Sequence, residues 1–398
     1  MMAMMFVASA TAFAGDSDAL KAIKKAKTYD EAAQLLKTAQ LANDEEKAAA
    51  YNKLVDLAMN KVTKEIGTKA QNQANQQLGT GKMEPFDTLG MGDALCNAIN
   101  AALECNKYDQ LPNAKGKVAP KYNKKNAERI WPLRTHLIEA GQDLYESHGH
   151  GVLLKFWGAF VDSSSDPFFA EQNHEYDDKN IGQIAYYAGR YAYEAKDMAR
   201  ADKYFEIAMR DPERKQEALN YKIYAHRSSL VSKADTLQFI ETLKGLYTQD
   251  PENEAVLVNL YNIYDEMKDK AAQTALLDNH LAKYPNSYIA LANKGVMELN
   301  QNNPEEGSKW LRKAVAANPE NASVSYYLGL CLNQQAGSTD DQAKRKELFQ
   351  EAVKAFDRAK ELDPDKQQAN WGYNRYQAYY SLYGEDDPRT KAAQADMR

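Results

Sequence analysis

The chain has 398 residues, 27% of them charged, and a formal net charge of −6, a balance that argues against a nucleic-acid partner, which calls for a strongly basic face. Ala, Lys, Gln, Glu and Leu recur throughout, and no stretch alternates apolar and polar residues in the manner of a half-buried strand. No later segment holds the roughly 20 apolar residues that a membrane crossing needs, so the composition predicts an all-α protein without a membrane span.

Residues 1–14 carry no charge, and Ala12-Phe13-Ala14 offers small residues at the two positions a signal peptidase reads. They are expected to form an export signal cleaved before Gly15, leaving a periplasmic or secreted chain. No Cys follows the cleavage site, so a lipid anchor of the usual bacterial kind is not expected. The run lacks a preceding Lys or Arg, which points to a translation start upstream of Met1.

From 15 to 179 the pattern is helical with long polar loops. A first helix begins at the cleavage site, and Thr28–Ala32 with Leu36 and Ala39 reads as a turn and a second helix. A long amphipathic helix is expected from Asp44 to Ile66, then a Gln/Asn/Gly-rich loop over Gly67–Asp93, then a helix over Asp93–Asn106. Cys96 and Cys105 fall nine apart on that helix and therefore on opposite faces, so a bond between them needs a break in it. The basic run from Lys107 to Arg129 reads as a solvated loop. Ala140-Gly141 with Phe156, Trp157 and Phe160 reads as an irregular helix pair ending near Pro167.

Beyond residue 180 the chain repeats itself. Pro251, Pro285 and Pro319 are 34 residues apart. One unit carries Gly189, Ala201, Phe205, Ala208 and Pro212, and another Gly295, Gly307, Leu311, Ala314 and Pro319. A third carries Leu328-Gly329, Ala352, Phe356, Ala359 and Pro364, with eleven extra residues around Gln335–Lys346. The unit ending at Pro285 keeps Leu257, Leu260, Tyr264 and Leu277, and the one ending at Pro251 diverges most. Small residues let two helices cross closely, the large residue fills the wedge beside them, and Pro stops the second helix. In period and content these units resemble the tetratricopeptide-repeat family, as an exported bacterial member. That resemblance implies an α-α superhelix, with five repeats over 180–364 and a capping helix and charged, frayed tail over 365–398.

No constellation for catalysis is evident. Gly79-Thr80-Gly81-Lys82 lacks the spacing and the following Ser/Thr of a phosphate loop. His148-Gly149-His150 reads as a solvated turn, because nothing fixes both rings on one face. Neither a metal nor a cofactor is expected. The resemblance instead implies a concave binding groove lined by the first helix of each unit. Carried over by register, its members are Tyr186, Arg190, Tyr193 and Glu194, then Asn262 and Asp265, then Tyr326 and Asn333, with Trp371, Arg375 and Tyr379 from the cap. Val258, Ala292, Val296, Leu299 and Leu330 fall between them, which departs from the Lys/Arg/Asn pattern of repeats that clamp acidic tails. The implied function is a non-enzymatic scaffold of the cell envelope that holds a peptide or protein segment in the groove, unless the chain fills the groove itself. The alternative is glycan binding of the SusD-like type, for which Trp157 and Phe168-Phe169 are the available aromatics.

Overall fold

The structure, a computed structural model, describes residues 15–79, 81–113 and 115–397. The export signal expected at 1–14 lies outside them. The described residues form helices and their connections, with no strand among them. They divide between Ser229 and Leu230 into two compact units, a division that falls inside the span read as five repeats. Each unit has its own apolar core.

The first unit contains α1 (Asp18–Lys25), α2 (Tyr29–Thr38), α3 (Asp44–Gln77), α4 (Thr88–Asp109), α5 (Asn123–Ile130), α6 (His136–His148), α7 (His150–Ser164), α8 (His174–Asp177), α9 (Ile181–Glu194), α10 (Met198–Ala208) and α11 (Lys215–Ser228). α3 starts where Asn43 accepts a hydrogen bond from the Glu46 amide, and three acidic residues in its first turn complement the helix dipole. It does not stop at Ile66. Gly67 is followed by Ala, Gln and Asn residues that sustain a helix, so α3 runs three turns further than expected and the loop shrinks to the ten residues 78–87. Asn72 ties that loop back, donating to the Glu84 carbonyl and accepting from its amide, both at 2.8 Å.

The cysteines are all buried and free. Cys96 and Cys105 sit on one unbroken helix, α4, and burial pushes both thiols up to about 12. The basic stretch is less of a loop than expected: Lys107 lies in the last turn of α4 and Asn123 opens α5. The Asp109 carboxylate accepts from the amides of Lys121, Tyr122 and Asn123 at 2.7–3.0 Å, so it organises the start of α5 from across the loop. Between α5 and α8 the chain is pinned by Arg134, which is fully buried. Its guanidinium donates to Asp178 Oδ1 (3.1 Å), Ser163 Oγ (2.6 Å) and the Phe160 carbonyl (3.0 Å).

The second unit contains α12 (Lys233–Gln249), α13 (Glu254–Glu266), α14 (Lys270–Lys283), α15 (Tyr288–Asn300), α16 (Pro304–Ala317), α17 (Ala322–Ser338), α18 (Gln342–Leu362), α19 (Gly372–Tyr383) and α20 (Pro388–Ala395). The crossings follow the small-residue spacing. A Cβ on Gly189 would come within 2.8 Å of Phe205, one on Gly295 within 2.5 Å of Leu311, and one on Gly329 within 2.6 Å of Phe356. The turns repeat as well. After α9, α13 and α15 the chain passes through a left-handed residue, Lys196, Lys268 and Asn302, with φ near 60°. The next amide in each case (Asp197, Asp269, Asn303) closes on the carbonyl five residues back at 2.9 Å, the six-to-one bond that ends a helix.

Two expectations fail here. The eleven extra residues of the unit ending at Pro364 do not sit between its helices: they lengthen them, and only residues 339–341 connect α17 to α18. The tail beyond Gly384 is not frayed but folds as α20. Asp387 caps it by accepting from the Arg389 amide at 2.8 Å, Pro388 fits its first turn, and Thr390 and Ala393 are buried.

Candidate functional site

The residues expected to line one groove fall in both units. In the first, Tyr186, Arg190, Tyr193 and Glu194 share α9, and three of them turn toward α11. Tyr193 Oη donates to Ser228 Oγ at 3.1 Å, and its ring meets Tyr224 edge-on at 5.7 Å. Tyr186 meets Tyr221 edge-on at 5.7 Å, and with 7% exposure it is part of the core. Burial, then the nearby Glu217, raises its phenol above the usual range. Glu194 instead pairs with His150 at the start of α7.

Arg190 is the unusual member. Its guanidinium carbon lies 5.1 Å from the Tyr221 ring, 5.9 Å from Tyr186 and 6.0 Å from Tyr187, the range of cation–π attraction. It is half-buried and pairs with no carboxylate among the described residues, so its N–H donors remain open. Tyr221 and Tyr224 were missed in the sequence because they lie in the most divergent unit, where no register existed to carry a groove position. Their spacing with Ser228, three then four residues along α11, was the available signal.

In the second unit, Asn262 is half-buried on α13, and Asp265 is exposed, accepting from Gln273 Nε2 at 3.1 Å. Tyr326 and Asn333 on α17 face Asn374: Asn374 Nδ2 donates to Tyr326 Oη (3.3 Å) and Asn333 Nδ2 to the Asn374 carbonyl (3.1 Å). The three cap residues are turned into the unit. Trp371 is only 2% exposed, and its indole donates to the Asp363 carbonyl at 2.8 Å. Arg375 donates to Asp357 Oδ1 (2.7 Å) and Asp396 Oδ2 (2.8 Å), while Tyr379 Oη donates to Asp357 Oδ2 at 2.9 Å. Burial and Asp357 push the Tyr379 phenol up to about 12. These three hold α20 and α18 against α19 and present little surface to a partner.

The aromatics considered for a sugar platform are buried too: Trp157, Phe168 and Phe169 lie in the first unit's core, and the Trp157 indole donates to the Ile138 carbonyl at 3.1 Å. Among the described residues no group of three His, Cys, Asp or Glu side chains comes together to hold a metal. His148 contacts Ser147, and the turn after α3 is tied by Asn75 donating to the Lys82 carbonyl. Among the described residues no helix is long and apolar enough to cross a membrane.

A family model described as a tetratricopeptide repeat matches residues 270–322 and 298–366. No curated protein matches the chain. Solved structures similar to it include the MamA protein, 16% identical over 47% of this chain and 94% of that one, with a TM-score of 0.31. A human IFIT1 dimer with m7Gppp-AAAA is 16% identical over 77% of this chain and 72% of that one, with a TM-score of 0.36. A TPR repeats protein from Bacteroides fragilis is 14% identical over 62% of this chain and 98% of that one, with a TM-score of 0.25.

Proposed function

We propose, from the premise that residues 270–366 carry tetratricopeptide repeats, that the chain is a non-enzymatic scaffold holding a segment of a protein partner against the first helices of its pairs. Arg190 is the observation that carries this reading. A half-buried guanidinium between tyrosine rings, without a carboxylate of its own, offers directional donors to the carbonyls or acidic side chains of an incoming segment. Tyr and Arg together are the composition of interface hot spots. Tyr193 and the exposed Tyr224 flank it on α9 and α11. The setting we propose is the cell envelope, supported by the uncharged residues 1–14 and the small residues at Ala12 and Ala14.

The test is crosslinking in an intact envelope fraction of the native host, comparing the unaltered chain with Arg190→Gln. One dominant protein partner is expected, with recovery at least tenfold lower for the variant and an unchanged melting temperature. Full recovery with Arg190→Gln, or a melting temperature that falls with it, overturns the assignment of Arg190.

A further inference from the structure

The second unit carries a cleft of about 490 Å³ at the C-terminal end of α14, edged by the starts of α13 and α15. That volume suits a small molecule. Leu257 and the half-buried Tyr284 and Tyr288 give it apolar and aromatic walls. His280 also lines it, although only 2% of that residue is exposed. Its Nδ1 is engaged by Tyr247 Oη, while Nε2 has no partner among the described residues. A ring nitrogen left open on so buried a residue, at the wall of a cleft, points to a ligand that completes it.

Charge selects the kind of ligand. Glu252 and Glu254 line the same cleft, are exposed, and form no ion pair among the described residues. Glu252 is the charged neighbour that acts on His280, and Glu254 the one that acts on Tyr288. Lys283 at the rim is likewise unpaired, so the two carboxylates and one ammonium leave the cleft negative. A helix start can draw an anion, but Asn253 and Ser287 cap α13 and α15 by accepting from the Val256 and Ala290 amides. The end of α14 favours a cation.

We propose that this cleft binds an alkylammonium ion, a protonated primary amine on a short aliphatic chain. Glu252 and Glu254 neutralise its charge, the tyrosine faces attract it through their π electrons, and Leu257 covers the chain. An ammonium carries only N–H donors, so it takes the tautomer of His280 whose Nε2 holds the lone pair, with Nδ1–H donating to Tyr247 Oη. A neutral sugar would leave the carboxylates uncompensated, and an anion would be repelled by them. The site is independent of Arg190, which belongs to the other unit.

Isothermal titration calorimetry of the full chain tests this with two amines, 1,5-diaminopentane and Nα-acetyl-lysine methylamide. Their neutral counterparts are 1,5-pentanediol and Nα-acetyl-norleucine methylamide. At least one amine is expected to bind one to one, half-saturating at about 1 mM, with its counterpart at least tenfold weaker. The amine that binds more tightly marks the source, a free diamine or a lysine side chain of another protein, and either supports the site. Glu252→Gln with Glu254→Gln should weaken that amine at least tenfold, with circular dichroism verifying that the chain stays folded. Asp340→Asn with Glu385→Gln removes the same charge from exposed positions elsewhere in the unit and should leave binding as it was. The proposal is overturned if neither amine binds or if a neutral counterpart binds as tightly. It is equally overturned if the Glu252, Glu254 variant keeps its affinity, or if the Asp340, Glu385 variant loses as much.

Discussion

His280 is buried in the second unit with Nδ1 2.7 Å from Tyr247 Oη, within hydrogen-bonding distance of the phenol. Tyr247 faces it from α12 and Tyr284 from just past the end of α14, while Glu252 is the charged group nearby. Burial lowers its pKa below the ordinary 6.5, and Glu252 opposes this more weakly. The unfolded chain therefore takes up a proton at a higher pH than the folded one. The stabilisation is present above the unfolded value of 6.5 and is lost as pH falls through the lower folded value. Melting temperatures measured from pH 7.5 downward should fall below about 6.5, and His280→Gln should flatten that part of the curve while melting lower at neutral pH. An identical pH dependence in both proteins contradicts it. A histidine whose partner is a phenol 33 residues away cannot be distinguished in the sequence from one on a surface. The same holds for Arg134, whose burial depends on Asp178 arriving from another element.

At the scale of helices, the close crossings were legible and the ends were not. Gly189, Ala201 and Phe205, or Gly295 and Leu311, betray a crossing because the contact demands a small residue at one fixed distance from a large one. Gly295→Ala tests this. Its Cβ would stand 2.5 Å from Leu311 Cγ and 3.1 Å from the Gly307 carbonyl, and the backbone there cannot yield as a side-chain tip does. The change should cost about 1–3 kcal/mol in urea unfolding, although Ala is ordinarily the better helix former. A stabilised variant would mean the two helices are free to move apart. The misread ends have physical reasons. Gln and Asn signal loops only weakly, so α3 outran its expected stop, and α20 is held through Asp396, whose partners Lys360 and Arg375 lie outside the tail. The cap aromatics divided by burial, which six nearly adjacent aromatic residues conceal: Trp371 and Tyr379 went inward, Tyr373 and Tyr380 outward.

For the whole molecule, composition and repeat period carried the fold class, because the crossings at Gly189, Gly295 and Gly329 restate one packing rule. The candidate site was less legible. A groove position inferred from register says which way a Cβ points and not whether a neighbour already covers it, as it does at Trp371 and Tyr186. The proposed export depends on residues 1–14, and sequencing the N-terminus of the protein from its native host should find Gly15 first; a start at Met1 would overturn it. One feature of α17 and α18 has a use in engineering. They exceed α15 and α16 by four and seven residues, close to one and two full turns. Whole turns keep the rows of side chains in phase, so the crossing of Gly329 on Phe356 is undisturbed while a largely exposed spur is carried outward. Insertions there in the same paired increments of four and seven should graft a reporter helix, or a new contact surface, onto the molecule without retuning the packing beneath it.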